Sequence, residues 1–516
     1  MDPLKPWTLV AAAIAIYALK KYLELRLLLQ SIQYHPGNRL LLPINTLVTM
    51  ILPRIPAFTR GITRTWTDKY EPYAKCGWDV IADVSILPSP STTLFLADPV
   101  AIKEVFTSRA RFPKPTKTYK TISFFGDNII ASEGEEWKRY RKVAAPAFND
   151  RNSQLIWDET ARIMLDLFEN VWGSQDSVTV DHAVDITVPI ALFVIGAAAF
   201  GNRISWKDDD SVPPGHQLSF KDAIHEVSMG TLTKTIVPKW AMGWNSYTRK
   251  VRLAFDELDA HMLEMIGKRR SSEKKEDRYD LLSNLLDASS DDTTFTDRDL
   301  TGNIFIFLIA GHETTAHALC FALALLALHP TEQETLFQHI NSVLSDGRIP
   351  TYQEMPLFTH TMAVLYETLR MFPSVNAIPK YSAEDTTLTI SNAAGEKRTL
   401  PVPKGSVLVL NAVGLHYNPH YWKDPETFQP TRFLGNWPRD AFLPFSSGPR
   451  ACLGRKFFET EAVAILTLLV SRYKIEVKDE PQFARETFEE RKARVLASNP
   501  GITMTPIRVP LVFKRR

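Results

Sequence analysis

The stretch Leu443–Phe457 reads LPFSSGPRACLGRKF and sets one cysteine, Cys452, among two glycines, two prolines and two arginines. A thiolate is a strong, soft metal ligand, but it must be held against protonation and oxidation. Gly448 and Pro449 permit a tight turn that aims backbone N–H groups at Cys452. Gly454 withholds a side chain where a helix, CLGRKFFETEAVAILTLLV, is predicted to begin, and the positive end of that helix favours an anionic sulfur. An isolated cysteine more often packs as a small buried hydrophobe, so the residues around Cys452 decide its role.

Around this loop, the 516 residues are 45% hydrophobic and 23% charged, which is globular composition with material for a large core. No Gly/Ser-rich or Pro-rich linker divides them. Sixty Lys and Arg stand against 58 Asp and Glu, so no global basic excess points to nucleic acid. Three widely spaced cysteines, Cys76, Cys320 and Cys452, argue against a disulfide framework and against paired-cysteine zinc sites. Any metal role therefore uses one thiolate at a time.

The uncharged run Trp7–Leu19, WTLVAAAIAIYAL, is followed by Lys20 and Lys21. Thirteen helical residues span only about 20 Å, short of the ~30 Å hydrocarbon core, but Trp7, Tyr17, Lys5 and Lys20 extend the reach. No small-residue cleavage pattern comes after it, so the segment reads as an uncleaved membrane anchor with the rest of the chain on the cytosolic side. The apolar segment Leu40–Phe58 contains three prolines and looks interfacial.

Beyond it, DVIADVSIL and TTLFLADP predict two strands about the turn at Pro88–Ser91. Most of the remaining chain has helical periodicity, including EEWKRYRKVAAPAF, TARIMLDLFENVW, VRLAFDELDAHMLEMIGKRR and LLSNLLDA. The run Arg269–Arg278 reads as a solvated, charged loop. The strongest helix runs from about Asp297 to His329 and stops at Pro330; its apolar residues lie on nearly all sides, which implies burial. After EMPLFTHTMAVLYETLRMF, the segments TTLTI, TLPV and SVLVLNAVG predict a small sheet.

The pattern Phe445-x-x-Gly448-x-Arg450-x-Cys452-x-Gly454 resembles the haem-binding loop of the cytochromes P450. Three further segments resemble the same family in the same order. AGHETT, Ala310–Thr315, sets polar residues into an otherwise apolar helix and resembles the oxygen-activation motif. Glu367 and Arg370 stand at i and i+3, by spacing alone an ordinary surface ion pair; with Arg432 in PETFQPTRF they resemble the Glu-Arg-Arg triad, although Thr431 replaces the usual glutamate. Trp137 and Arg141 stand at i and i+4, by spacing a cation–π pair, and resemble a Trp-x-x-x-Arg element that reaches a haem propionate.

The resemblance implies a mainly α fold with a small β region, a single large helical domain over residues 36–516, and an anchor over residues 1–35. It implies haem b with Cys452 as axial thiolate, Phe445 beside the sulfur, and Arg450, Trp137 and Arg141 toward propionates. Ala310 and Gly311 would leave room for dioxygen, and Glu313 and Thr314 would relay protons. The implied activity is monooxygenation of a hydrophobic small molecule with O2 and electrons from NADPH through a separate reductase, at the endoplasmic reticulum membrane. Substrate-facing candidates are Phe124, Phe125, Ile306, Ile309, Val375–Ile378 and Pro500-Gly501-Ile502, with PKWAMGW, Pro238–Trp244, dipping into the interface. The overall character resembles fungal enzymes that decorate terpenoids or other secondary metabolites. Lys138, Arg139, Lys142, Arg455 and Lys456 are candidates for a basic face toward a redox partner. Two departures are the missing Pro-Pro-Gly-Pro hinge, with His35-Pro36-Gly37 near its place, and Lys380 where many members carry an arginine. A haem-thiolate isomerase or dehydratase and a haem-free lipophile carrier are the rival readings; Glu313 and Thr314 favour oxygen activation over the first.

Overall fold

The structure is a computed structural model that describes residues 6–43, 49, 52–61, 63–206, 212–271, 280–291, 295–501 and 503–516. Lys5, parts of the apolar 40–58 segment, residues 272–278 of the charged run and Ile502 lie outside the described residues. Helices α1 (Pro6–Ser31), α2 (Pro99–Thr107), α3 (Gly134–Ala144), α4 (Asp150–Asp166) and α5 (Val184–Phe200) occur in the first part of the chain. They are followed by α6 (Phe220–Ile236), α7 (Ser246–Ser271), α8 (Asp297–Leu328), α9 (Thr359–Met371) and α10 (Arg455–Arg472). The architecture is mainly helical with small β regions.

The chain forms two compact units. One takes in residues up to Pro115, Val375–Thr427 and Pro438–Ala451; the other takes in Thr116–Ser374, Phe428–Trp437 and Cys452–Arg516.

The first unit is built on a five-stranded sheet from β1 (Arg39–Leu40), β2 (Val80–Ser85), β3 (Ser91–Leu96), β5 (Ala377–Tyr381) and β8 (Val407–Asn411), in the order β1-β2-β3-β8-β5. The expected strands at 79–87 and 92–99 form its β2–β3 hairpin, with Val80 opposite Leu96. The C-terminal segments do not make one sheet of their own, as the sequence suggested. β6 (Thr386–Ser391) and β7 (Lys397–Val402) pair as a separate hairpin, while β8 runs parallel to β3 and antiparallel to β5. The difference follows from burial: β8 is buried along nearly its whole length, as an interior strand requires, whereas β6 alternates between covered and open positions. Helix α1 continues past Lys20 and Lys21 to Ser31, about 39 Å at 1.5 Å per residue, longer than the uncharged run alone. Lys21 Nζ bonds Glu24 at 2.9 Å and the Pro88 carbonyl at 3.1 Å.

The second unit is organised around α8. Its start is fixed by a capping box in which the Asp299 N–H donates to Thr296 Oγ1 and the Thr296 N–H to Asp299 Oδ2. Asp299 Oδ1 also accepts from the buried Tyr140 hydroxyl at 2.5 Å, which ties α3 to α8. Pro330 ends α8 as expected. Among the described residues α8 is the helix long and apolar enough to cross a membrane, but two-thirds of that stretch is buried, which marks a core helix. Around it lie β4 (Ser177–Val180), β9 (Tyr473–Val477) and β12 (Leu511–Arg515) as one small sheet, and β10 (Ser498–Pro500) with β11 (Met504–Pro506) as a hairpin.

Glu461 on α10 is fully buried, and neither carboxylate oxygen has a hydrogen-bond partner among the described residues. Burial pushes its carboxyl well above the ordinary glutamate range. A raised native value means that the cost of keeping this group inside is absent below the unfolded pKa and grows as pH rises toward the folded one. Glu461→Met is therefore expected to stabilise the protein at neutral pH by about 1–3 kcal/mol, with the gain shrinking toward pH ~4.5. Urea unfolding of both proteins across that pH range checks it; an equal difference at all pH values removes the assignment.

Candidate active site

The cysteine loop starts in the first unit. His416, fully buried, accepts the Leu443 N–H on Nε2 at 2.8 Å, and its ring stacks on Phe442 at 5.6 Å. Trp422 Nε1 donates to the Ala441 carbonyl at 3.3 Å. These contacts pin the base of the loop, and sequence reasoning missed both residues because the histidine and the tryptophan lie about 20 or more positions away in the chain. Gly448 sits at φ +66°, where a Cβ would also press on Phe106 at 3.4 Å, so the turn and the close approach both require glycine. Gly448–Arg450 then form one tight turn closed by the Ala451 N–H on the Gly448 carbonyl. Phe445 and Arg450 are half-buried in this unit.

Cys452 belongs to the second unit. Helix α10 begins at Arg455 with Gly454 as its cap, three residues later than the sequence suggested, so the cysteine precedes the helix. Cys452 is exposed as a residue while Cys320 is buried, and the backbone N–H groups of Gly454 and Arg455 are directed at its sulfur. The surrounding protein pushes the thiol up; those N–H groups and the Arg455 charge act against that push and favour thiolate. A Cβ on Gly454 would stand 3.8 Å from Sγ, against the sulfur. Leu453 and Phe457 pack against the hydrophobic cluster that contains Trp137, Ile304 and Phe305, which brings the start of α10 together with α3 and α8. A sulfur that meets backbone N–H donors on an exposed residue is the kind of donor that would hold a haem iron as a single thiolate, and the residues present fit that group.

Helix α8 is buried along most of its length but half-buried at Phe307, Ile309, Ala310, Gly311, Glu313 and Thr314, of which Phe307, Ala310, Gly311 and Thr314 recur at i, i+3, i+4 and i+7 on one face. Thr314 Oγ1 donates to the Ala310 carbonyl at 2.7 Å. Gly311 has a packing reason as well: a Cβ there would stand 2.0 Å from Ile195 Cδ1, so the glycine lets α5 and α8 approach. Glu313 and Thr314 share no hydrogen bond among the described residues. Instead Glu313 Oε1 accepts from Thr503 Oγ1 at 2.9 Å, and Thr503 Oγ1 lies 3.5 Å from His317 Nδ1. Burial raises the Glu313 carboxyl, partly offset by the Thr503 bond. Burial also lowers His312 and His317 to about 4, which keeps both neutral at physiological pH. Thr503 was not legible beforehand, because it reaches Glu313 and His317, one turn apart on α8, from the β10–β11 hairpin 186–190 residues on.

Trp137 is buried and Arg141 half-buried, with the guanidinium 5.7 Å from the indole centroid, as the i, i+4 spacing predicts. Glu367 and Arg370 are fully buried, in contrast to the surface pair that spacing alone suggests. Glu367 Oε2 accepts Arg370 Nε at 2.7 Å, and Oε1 accepts Arg370 Nη2, Arg432 Nε and the Gln429 N–H at 2.9–3.0 Å. Arg432 thus joins the pair as the resemblance implied, without any glutamate at Thr431.

Of the substrate-facing candidates, Phe125 and Ile306 are buried in the core, where Phe125 stacks on Phe255 at 5.6 Å. Phe124 and Ile309 are half-buried and Gly501 is exposed in the second unit; Val375 is exposed at the edge of β5 in the first. Lys380 is buried on β5. Of the basic residues, Arg455 bonds Glu459 at 2.8 Å and the Tyr366 hydroxyl at 2.9 Å, Lys138 bonds Glu135, and Arg139 faces Asp299.

Residues 82–504 match the family description Cytochrome P450. A protein of Postia placenta named cytochrome P450 monooxygenase 124 is 52% identical over 98% of this chain and 99% of its own length. Cyclooctat-9-en-7-ol 5-monooxygenase of Streptomyces melanosporofaciens is 28% identical over 76% of this chain and 82% of its own. The solved cytochrome P450DA heme domain superposes with a TM-score of 0.72 at 22% identity, covering 90% of this chain and 97% of that one, a likeness of fold. Family match, extended identity and the thiol site agree, and the chain belongs to the cytochrome P450 family of haem-thiolate monooxygenases.

Proposed function

We propose that this monooxygenase inserts one oxygen atom from O2 into a hydrophobic small molecule of the terpenoid or related secondary-metabolite class, with electrons from NADPH delivered by a separate reductase. The observation that carries it is the half-buried face of Phe307, Ala310, Gly311 and Thr314 in the middle of a mostly buried helix, packed through one hydrophobic cluster with the start of the helix that follows Cys452. Such a face is mostly apolar with one hydroxyl, which suits an apolar substrate positioned by few polar groups. The Streptomyces relative named for a cyclooctatenol substrate supports the terpenoid reading.

In this reading Cys452 holds the iron of haem b, Phe445 lies beside the sulfur, and Trp137, Arg141 and Arg450 serve the propionates. Bound haem supplies reductive activation of dioxygen. The chain supplies placement and protons. The Glu313 carboxyl, raised by burial, retains a proton closer to neutrality than an exposed glutamate, and the Thr503 hydroxyl orients it. Thr314 donates its hydroxyl proton to Ala310, which leaves its oxygen lone pairs able to accept and pass on another. Thr314→Ala is expected to keep NADPH consumption within about threefold while product per NADPH falls roughly tenfold and peroxide rises. Unchanged coupling would reject the relay.

The membrane reading rests on two exposed surfaces. Trp7, Ile14 and Ile16 on α1 are more than 60% exposed, and residues 1–35 are proposed as a single-pass anchor in the endoplasmic reticulum with residues 36–516 as the cytosolic catalytic domain. Trp240 and Trp244 are over 70% exposed and pack edge to face at 4.8 Å, with Met229 and Leu232 also exposed on α6. Reconstitution with a reductase, a panel of terpenoids and aromatics, and 18O2, followed by mass spectrometry, tests the function. A labelled product from a terpenoid supports it; substrate turnover without label overturns it.

A further inference from the structure

Away from the thiol site, α7 presents Glu257, His261 and Glu264 at i, i+4 and i+7, on one helix face. His216, just ahead of α6, lies against that face with its ring stacked on His261 at 3.7 Å and 4°. His261 is buried, and the His216 side chain is only 9% exposed. One donor atom each from His216, His261 and Glu264 lies within 4.8 Å of the other two.

The contacts around the two rings show which nitrogen of each faces the cluster. His216 Nδ1 meets Glu257 Oε2 at 3.0 Å, an oxygen also held by the Gln217 N–H. His216 Nε2 faces Glu264 Oε2 at 3.2 Å, so the nitrogen turned away from Glu257 is the one available to a bound ion. Two electron-rich atoms at that distance need a proton or a metal cation between them. His261 Nε2 donates to the Leu218 carbonyl at 3.0 Å, which turns its Nδ1 into the available lone pair. Each histidine thus has its non-ligating nitrogen fixed by a carboxylate or a carbonyl, the outer-shell arrangement of metal-bound imidazoles. Lys268 engages the other Glu264 oxygen, Oε1, at 2.7 Å and leaves Oε2 to the histidines.

We infer that His216, His261 and Glu264 bind a divalent zinc-class ion, with Glu257 and the Leu218 carbonyl as positioning groups and water completing the shell on the exposed Glu264 side. Two imidazoles and a carboxylate suit Zn2+ at about 2.0–2.2 Å once the two rings rotate out of their parallel stack to aim their in-plane lone pairs at one point. A proton alone, making His216 an imidazolium between two carboxylates, leaves the His261 lone pair unused. The ion would clamp the segment before α6 onto α7, where Phe220 already packs edge-on against His261 at 5.8 Å.

The test uses tag-free, full-length holoenzyme, stripped with chelator and dialysed against micromolar zinc, with zinc per haem counted by mass spectrometry. Wild type is expected to take up one zinc and to gain thermal stability from it. Glu264→Gln, an exposed change that threatens no folding, is expected to abolish the uptake, as is His216→Ala. Glu257→Gln is expected to weaken it about 10–100-fold while haem content stays normal. Absence of zinc uptake in wild type, the outcome of a proton-only bridge, overturns the site, and so does undiminished uptake in Glu264→Gln and His216→Ala.

Discussion

Cys452→Ala is expected to eliminate the red-shifted Soret band that reduced enzyme gives with carbon monoxide, and to lower product formation by at least about a thousandfold. The expectation rests on a contrast among three thiols. Cys320 is buried in α8 with its thiol pushed far up by burial, and Cys76 is half-buried with its thiol also raised, chiefly by burial. Only Cys452 is exposed as a residue and carries backbone N–H groups aimed at sulfur. An alanine there retains every packing contact of Leu453 and Phe457 and removes the one soft donor. Circular dichroism should therefore change little while the spectrum is lost, whereas Cys320→Ala, a modest cavity in a helix core, should leave the spectrum in place and cost about 1 kcal/mol or less. A normal carbon monoxide band in Cys452→Ala would refute the ligand assignment whatever the activity.

That contrast was half legible in the sequence. The turn residues Gly448 and Pro449 and the cap Gly454 are local signals, and they describe the loop correctly to within three residues of the helix start. What fixes the loop, the Leu443 N–H on His416, is a contact between distant positions that no periodicity carries. Helix α8 was readable because an all-round apolar run has one interpretation and Pro330 ends it. The pairing of β8 with β3 was not, since a strand's apolar pattern says that it is buried and not which neighbour buries it. Gly311 shows the limit within a motif: the resemblance assigns it room for oxygen, and the packing assigns it contact with Ile195. The polar partners of Glu313 arrive through a hairpin near the C-terminus, and His216 meets α7 across about 40 residues, so neither cluster had a sequence signature.

Glu367→Ala is expected to cost about 3–5 kcal/mol and to leave little folded, haem-loaded protein at 37 °C. Spacing alone values an i, i+3 Glu–Arg pair at a few tenths of a kcal/mol, because water screens it and both side chains lose rotamers to form it. Here the environment reverses the estimate. Glu367 and Arg370 have no exposed side-chain surface, and Arg432 is 10% exposed, so removing the one carboxylate strands a buried guanidinium and orphans the Gln429 N–H. Arg432→Ala is expected to be milder, about 1–2 kcal/mol, since Arg370 keeps both of its bonds to Glu367 and the buried charge stays compensated. The ordering separates a buried network from a surface pair: the double variant Glu367→Ala with Arg370→Met should recover part of the loss, because the fully buried Arg370 charge is then removed together with its carboxylate and only the less buried Arg432 loses its partner. Urea midpoints of the four proteins decide it, and a Glu367→Ala cost below about 1 kcal/mol would return the pair to the surface value that its spacing suggests.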